Sequence, residues 1–68
     1  MLRMLEVVGT SPLGFSEAVN TAVETIVRAG HKAHFFQVVE QRGSVREGRI
    51  KEYKVVLKVA VEAKEEFI

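Results

Sequence analysis

The stretch Tyr53-Lys54-Val55-Val56-Leu57-Lys58-Val59-Ala60-Val61-Glu62-Ala63 decides how the rest of the chain is read. Successive side chains of a strand point to opposite faces. Tyr53, Val55, Leu57, Val59, Val61 and Ala63 therefore fall on one apolar edge, and Lys54, Lys58 and Glu62 on the other. A long strand with one buried face follows. Upstream, Phe35 to Arg42 is also strand-like, and Arg46-Glu47-Gly48-Arg49 carries a turn glycine, so the two strands form a hairpin. Glutamate tolerates positive φ poorly, so a type I turn with Gly48 at a bulge is the expected connection.

The apolar edge needs a cover, and Phe15 to Ala29 has the period to supply it. Phe15, Ala18, Val19, Ala22, Val23, Ile26 and Val27 follow the i, i+3, i+4, i+7 pattern of an amphipathic helix. Gly14 serves as N-cap, with Glu17 where a carboxylate meets free amides and the positive end of the dipole. Gly30 can take the left-handed C-terminal cap, with His31 and Lys32 at the negative end.

Arg3 to Val8 reads as a short first strand, and Gly9-Thr10-Ser11-Pro12-Leu13-Gly14 as a turn cluster leading into the helix. The second strand runs from His34 to Gln41 or beyond. Strict alternation puts Phe36 and Val38 on one side and Phe35, Gln37, Val39 and Gln41 on the other. Each side carries a large aromatic, so this strand is expected to be buried twice, by the helix and by another subunit. The tail Glu62 to Ile68 is expected to fray. Strand, helix, strand, strand gives an α+β fold: a β-α-β-β unit with a three-stranded, mostly antiparallel sheet and one helix packed on it.

The chain has 68 residues, which is room for a single domain over residues 1–68 and one small core. It has no cysteine for disulfides and no spacing for a structural metal, so association is the remaining source of stability. Ten basic against nine acidic residues leave a net charge of +1, dispersed along the chain, which gives no sign of nucleic-acid binding. No apolar run approaches the roughly 20 residues that span a bilayer, and Met1-Leu2-Arg3-Met4 does not open a signal peptide. A soluble, cytoplasmic protein is the expectation.

Catalytic chemistry finds little support. No serine sits in a strained elbow, and the glycines before the helix lack the Walker lysine and the dinucleotide spacing. No nucleophile, base and orienting group are visible together, so no enzyme is expected. His31 and His34 are three apart, but Gly30 ends the helix first, and a solvated pair is expected rather than a metal site. Glu6 and Glu40 are expected to face water or to pair with Lys or Arg across the sheet; an intersubunit ion-pair network or a calcium-type oxygen site is the functional alternative. With Phe36, Val38, Val55 and Leu57 toward the helix, Phe35 and Lys54 both point away from it. An exposed aromatic and an exposed cation on adjacent strands suit either a planar ligand or a subunit contact.

Four runs carry a family resemblance: Leu5-Glu6-Val7-Val8-Gly9-Thr10-Ser11-Pro12, Glu17-Ala18-Val19-Asn20, Phe36-Gln37-Val38-Val39-Glu40-Gln41-Arg42-Gly43 and Tyr53-Lys54-Val55-Val56-Leu57-Lys58-Val59. In this order, from residue 3 to residue 61, the sequence resembles the dodecin family. The resemblance implies a subunit whose sheet wraps around its helix, assembled into a hollow homododecamer that binds and sequesters flavin, riboflavin or FMN, without catalysis. It implies flavins stacked in pairs near subunit contacts between tryptophans, with a glutamine on the ring edge; some members also bind coenzyme A, and a branch without the tryptophan is regarded as calcium-binding. Carried across, the tryptophan falls on Phe35 and the glutamine on Lys54, both departures, while Arg42 matches an arginine directed at the flavin phosphate chain. Phenylalanine keeps a stacking face smaller than indole, and lysine offers donors but no acceptor. Arginine suits phosphate and interface ion pairs alike. Phe35, Arg42 and Lys54 are thus the expected flavin-binding residues; the alternative is an assembly that has lost flavin and serves as a structural or calcium-type ion-binding shell.

Overall fold

Residues 1–63 are described by the computed structural model of the chain. Four elements follow one another: β1 (Leu2–Ser11), α1 (Phe15–Arg28), β2 (Ala33–Arg46) and β3 (Arg49–Glu62). They form the expected β-α-β-β unit, with an antiparallel three-stranded sheet in the order β1-β3-β2. β3 is the central strand, paired on both edges. That position accounts for its composition: Val55, Leu57, Val59 and Val61 are all fully buried against the helix, each worth about 1.5–3 kcal/mol relative to exposure.

The helix answers with Ala18, Ala22 and Ile26 buried, and with Val19 and Val23 packed partly against the same core. Its start is held by backbone rather than by a side-chain cap, with the Ala18 amide donating to the Gly14 carbonyl at 3.1 Å. Its end is a Schellman motif: Gly30 adopts φ 93°, its amide donates to Val27, and the His31 amide reaches back to Ile26. Gly30 thus takes the left-handed position expected of it. Phe15, at the first turn, meets Tyr53 of β3 edge to face, ring centroids 5.0 Å apart.

Element lengths fix what this helix can cover. Fourteen helical residues span about 21 Å at 1.5 Å each, whereas fourteen strand residues span about 47 Å at 3.4 Å each. The hairpin therefore extends well past the helix, giving a molecule of 56 × 19 × 17 Å. The helix rests chiefly on β1 and β3, and β2 is left exposed along almost its whole length on both faces.

Several boundaries differ from the sequence expectation. β1 continues through Gly9, Thr10 and Ser11, which belong to the strand and not to a turn. Gly9 sits in the strand because the helix crosses it closely: a Cβ there would lie 2.8 Å from the Ala22 Cβ and closer still to the Ala18 carbonyl oxygen. The chain turns only after Ser11, whose hydroxyl accepts the Leu13 amide at 3.0 Å. β3 starts at Arg49 rather than near Tyr53, and Glu62 ends it as a paired strand residue; the Ala63 amide donates to the Met1 carbonyl. Residues 64–68 of the expected frayed tail lie outside the described residues.

The hairpin connection also differs. Glu47 and Gly48 form a two-residue loop in which both have positive φ, 53° and 76°, as a type I′ turn requires. The right-handed twist of the flanking strands favours this turn enough to hold a glutamate in the left-handed region. Register shifts place extra residues at His34 and Val39 in β2 and at Lys51 in β3. The bulge at Val39 changes the facing of everything after it. Phe36 and Val38 stand beside Val59 and Leu57 on the helix side as expected, but Gln41 stands beside Val55 on that same side, and Glu40 and Arg42 turn outward. Strict alternation had put Gln41 with Phe35.

Candidate functional site

The sheet face turned away from the helix carries all three residues expected to hold a ligand. Cross-strand neighbours share a face, so its rows can be read from the register. One row is Met4, Ala60 and Phe35; the next is Glu6, Lys58 and Gln37; then Val8, Val56 and Glu40; then Thr10, Lys54 and Arg42. Phe35 is 55% exposed. It stands beside Ala60, fully covered although it faces away from the helix, so the first row is an apolar shelf.

Phe35 and Lys54 lie on adjacent strands, on one face, as expected, but they are not neighbours. Phe35 pairs with Ala60, which lies six residue steps along β3 from Lys54, a distance of about 20 Å. One chain does not bring the aromatic and the cation to a single ligand. Arg42, in contrast, is the direct cross-strand partner of Lys54. Arg42 also holds Glu40, two residues before it, at 3.3 Å. Glu6 faces Lys58 across β1 and β3, so both strand glutamates meet a basic residue of their own sheet. These exposed pairs contribute little to stability, about 0–1 kcal/mol each.

Thr10 completes the Lys54 row and was not expected there, since Gly9 to Gly14 read as a turn. The signal that would have found it is the length of β3: a strand of fourteen residues needs a longer partner than Arg3 to Val8. The separation of Phe35 from Lys54 was also open to counting, because a turn centred on Glu47 and Gly48 sets Phe35 opposite residue 60.

At the other end of the sheet, Glu62 approaches Lys32 Nζ at 3.8 Å and His34 Nε2 at 3.7 Å, the latter an ion pair only when His34 is protonated. Arg3, His31, Lys32 and Glu62 line an open depression by the helix C-terminus. Among the described residues no three His, Cys, Asp or Glu side chains converge as a metal site would require, and no helix is long and apolar enough to cross a membrane.

Comparison with known proteins places this arrangement. The sequence model of the family described as dodecin matches residues 1–64. A curated dodecin from Thermus thermophilus is 35% identical over 63 residues, covering 93% of this chain and 91% of that protein. The solved dodecin of Streptomyces coelicolor superimposes with a TM-score of 0.91 at 35% identity, covering 97% of this chain and 94% of the other. A tryptophan-to-phenylalanine variant of the Thermus thermophilus dodecin superimposes with a TM-score of 0.88 at 35% identity, covering 96% and 97%. From β1 to β3, in topology and in sequence, this chain belongs to the dodecin family.

Proposed function

We propose that the chain is a subunit of a non-enzymatic homododecamer in the cytoplasm that binds and sequesters a flavin, riboflavin or FMN, at a site shared between copies. The observation that carries this reading is the exposure of Phe35 on a strand that its own helix leaves open on both faces, in a chain of the dodecin family. A planar, half-apolar ring system gains by stacking on such a side chain. Because Phe35 and the Arg42–Lys54 pair are about 20 Å apart in one chain, a ligand that touches both draws them from different copies. The pocket is then incomplete in a monomer, and assembly and ligand binding are one property.

Nothing in the outer face calls for catalysis. Its polar residues are lysines, an arginine, glutamates, glutamine and threonine in solvated rows, with no buried polar side chain left unpartnered among the described residues. The calcium-type alternative gains no specific support, since Glu6 and Glu40 each meet a basic residue of their own sheet, Lys58 and Arg42.

The test combines mass and colour. Protein purified with riboflavin or FMN is expected to run as a particle of twelve chains that is yellow and quenches flavin fluorescence at micromolar concentration. A solution mass of one chain, 7.6 kDa, contradicts the assembly. A colourless particle that leaves the fluorescence of both flavins untouched contradicts the ligand.

A further inference from the structure

The expected ligand residues lie on β2 and β3, yet the register sets two others beside Phe35 on the same face. The first is Met4 of β1. It stands across β3 from Phe35, both being partners of Ala60. Ala60 is fully buried but does not belong to the core under the helix. Lys58 and Glu62, the outward residues on either side of it along β3, are exposed, so its cover comes from Met4 and Phe35. A small residue at the centre thus lets two large ones close above it into one apolar surface, wider than a phenyl ring alone. Met4 remains 43% exposed on that surface and makes up for the area that phenylalanine lacks beside indole. A thioether is also favourable at the edge of an aromatic ring.

The second is Gln37, the next outward residue of β2 after Phe35, about 7 Å along the strand and exposed. Its amide carries a carbonyl acceptor and two N–H donors, whereas Lys54, about 20 Å from Phe35 in the same chain, offers donors only. We propose that Met4, Phe35 and Gln37 form the seat on which one chain receives a planar heteroaromatic ring, with Met4 extending the stacking surface and Gln37 reading a ring edge that presents both donor and acceptor. The identity of that ring as a flavin rests on the reading above; the seat itself rests on register, exposure and side-chain chemistry. Stacking alone leaves a ring free to rotate in its plane, and an amide on its edge fixes the orientation.

The assembled protein is titrated with riboflavin, FMN, an alloxazine lacking the ribityl chain, and acridine, a tricycle without a mixed donor and acceptor edge. Wild type is compared with Met4→Ala and Gln37→Met. Gln37→Met keeps the length and removes the amide. It is expected to weaken the flavins and the alloxazine by about threefold to tenfold, as loss of a neutral hydrogen bond does, and to leave acridine unchanged. Met4→Ala should weaken every one of these rings by about threefold to tenfold. A footprint on the wild type needs no variant to fold. Hydrogen peroxide transfers one oxygen atom to a methionine sulfur, giving the sulfoxide and water. The chain has two methionines, and Met1, 84% exposed, is the internal reference. Saturating riboflavin should slow oxidation of Met4 several-fold and leave Met1 unchanged, read by peptide mass. Riboflavin binding that leaves the Met4 rate unchanged, or that is undiminished in Gln37→Met, overturns the seat and leaves flavin binding standing. If neither flavin binds while the alloxazine binds, protects Met4 and is weakened by Gln37→Met, the flavin reading falls and the seat stands. If none of these rings binds, both fall.

Discussion

Replacing Gly9 by alanine tests the way the helix is seated. Gly9 is in β1 with no positive φ, so the substitution carries no backbone penalty and its effect comes from contact alone. The added methyl would lie 2.8 Å from the Ala22 Cβ and 3.0 Å from the Ala22 nitrogen, and would intrude further on the Ala18 carbonyl oxygen. Comfortable carbon contacts are about 3.5–4.0 Å, so the helix must retreat by about 1 Å. The intruded atoms are helix backbone and the Ala22 Cβ fixed to it, none of which can swing aside as the end of a long side chain would. Overpacking of this kind costs about 1–3 kcal/mol, and a rigid obstacle puts Gly9→Ala at the upper end, near 3 kcal/mol. For a domain of this size each kcal/mol lowers Tm by about 4–8 °C, so a fall of about 12–24 °C is expected by circular dichroism at matched concentration. Gly48→Ala is the comparison, since nothing lies within 4 Å of its added methyl and only its φ of 76° opposes it; that change should cost about 1 kcal/mol. If Gly9→Ala melts within 3 °C of the wild type, the close seating of α1 on β1 is wrong.

Leu57→Ala empties the centre of β3, the strand paired on both edges, and should cost about 2–5 kcal/mol in urea unfolding. Glu47→Asn relieves a left-handed glutamate and is expected to raise stability by about 0.5–1 kcal/mol, read as a higher urea midpoint at unchanged slope. Phe35→Trp enlarges the stacking face and is expected to tighten flavin binding by about threefold to tenfold in a fluorescence titration, about 0.6–1.4 kcal/mol; an unchanged affinity would remove Phe35 from the site. Combined with Lys54→Gln, the same substitution is expected to tighten riboflavin further.

The core was legible because it obeys a period. Val55, Leu57, Val59 and Val61 alternate without interruption, and Ala18, Ala22 and Ile26 recur at helical spacing, so burial could be assigned residue by residue. What escaped was whatever breaks a period or depends on two segments at once. The bulge at Val39 has no local signature; valine there continues the strand pattern, yet it exchanges the faces of Gln41 and Arg42. Gly9 looked like punctuation because glycine in a strand and glycine in a turn are the same letter, and only the approach of Ala18 and Ala22 distinguishes them. The turn at Glu47 ran against residue preference, with strand twist prevailing over the cost of one positive φ. Of the candidate site, the outward facing of Phe35 and Lys54 followed from alternation. Its division into two stations about 20 Å apart followed only from the register.

The exposed β2 strand leaves the single chain with an open sheet edge. It offers Phe35, Phe36, Val38 and Val39 on that edge, the composition and geometry from which fibrils are templated. The irregular register at His34 and Val39 interrupts that edge, so strands of successive molecules cannot stack flat against it without end. In the homododecamer proposed above, closure and open fibres would compete for the same surface, and the two extra residues in β2 would tilt that competition toward closure.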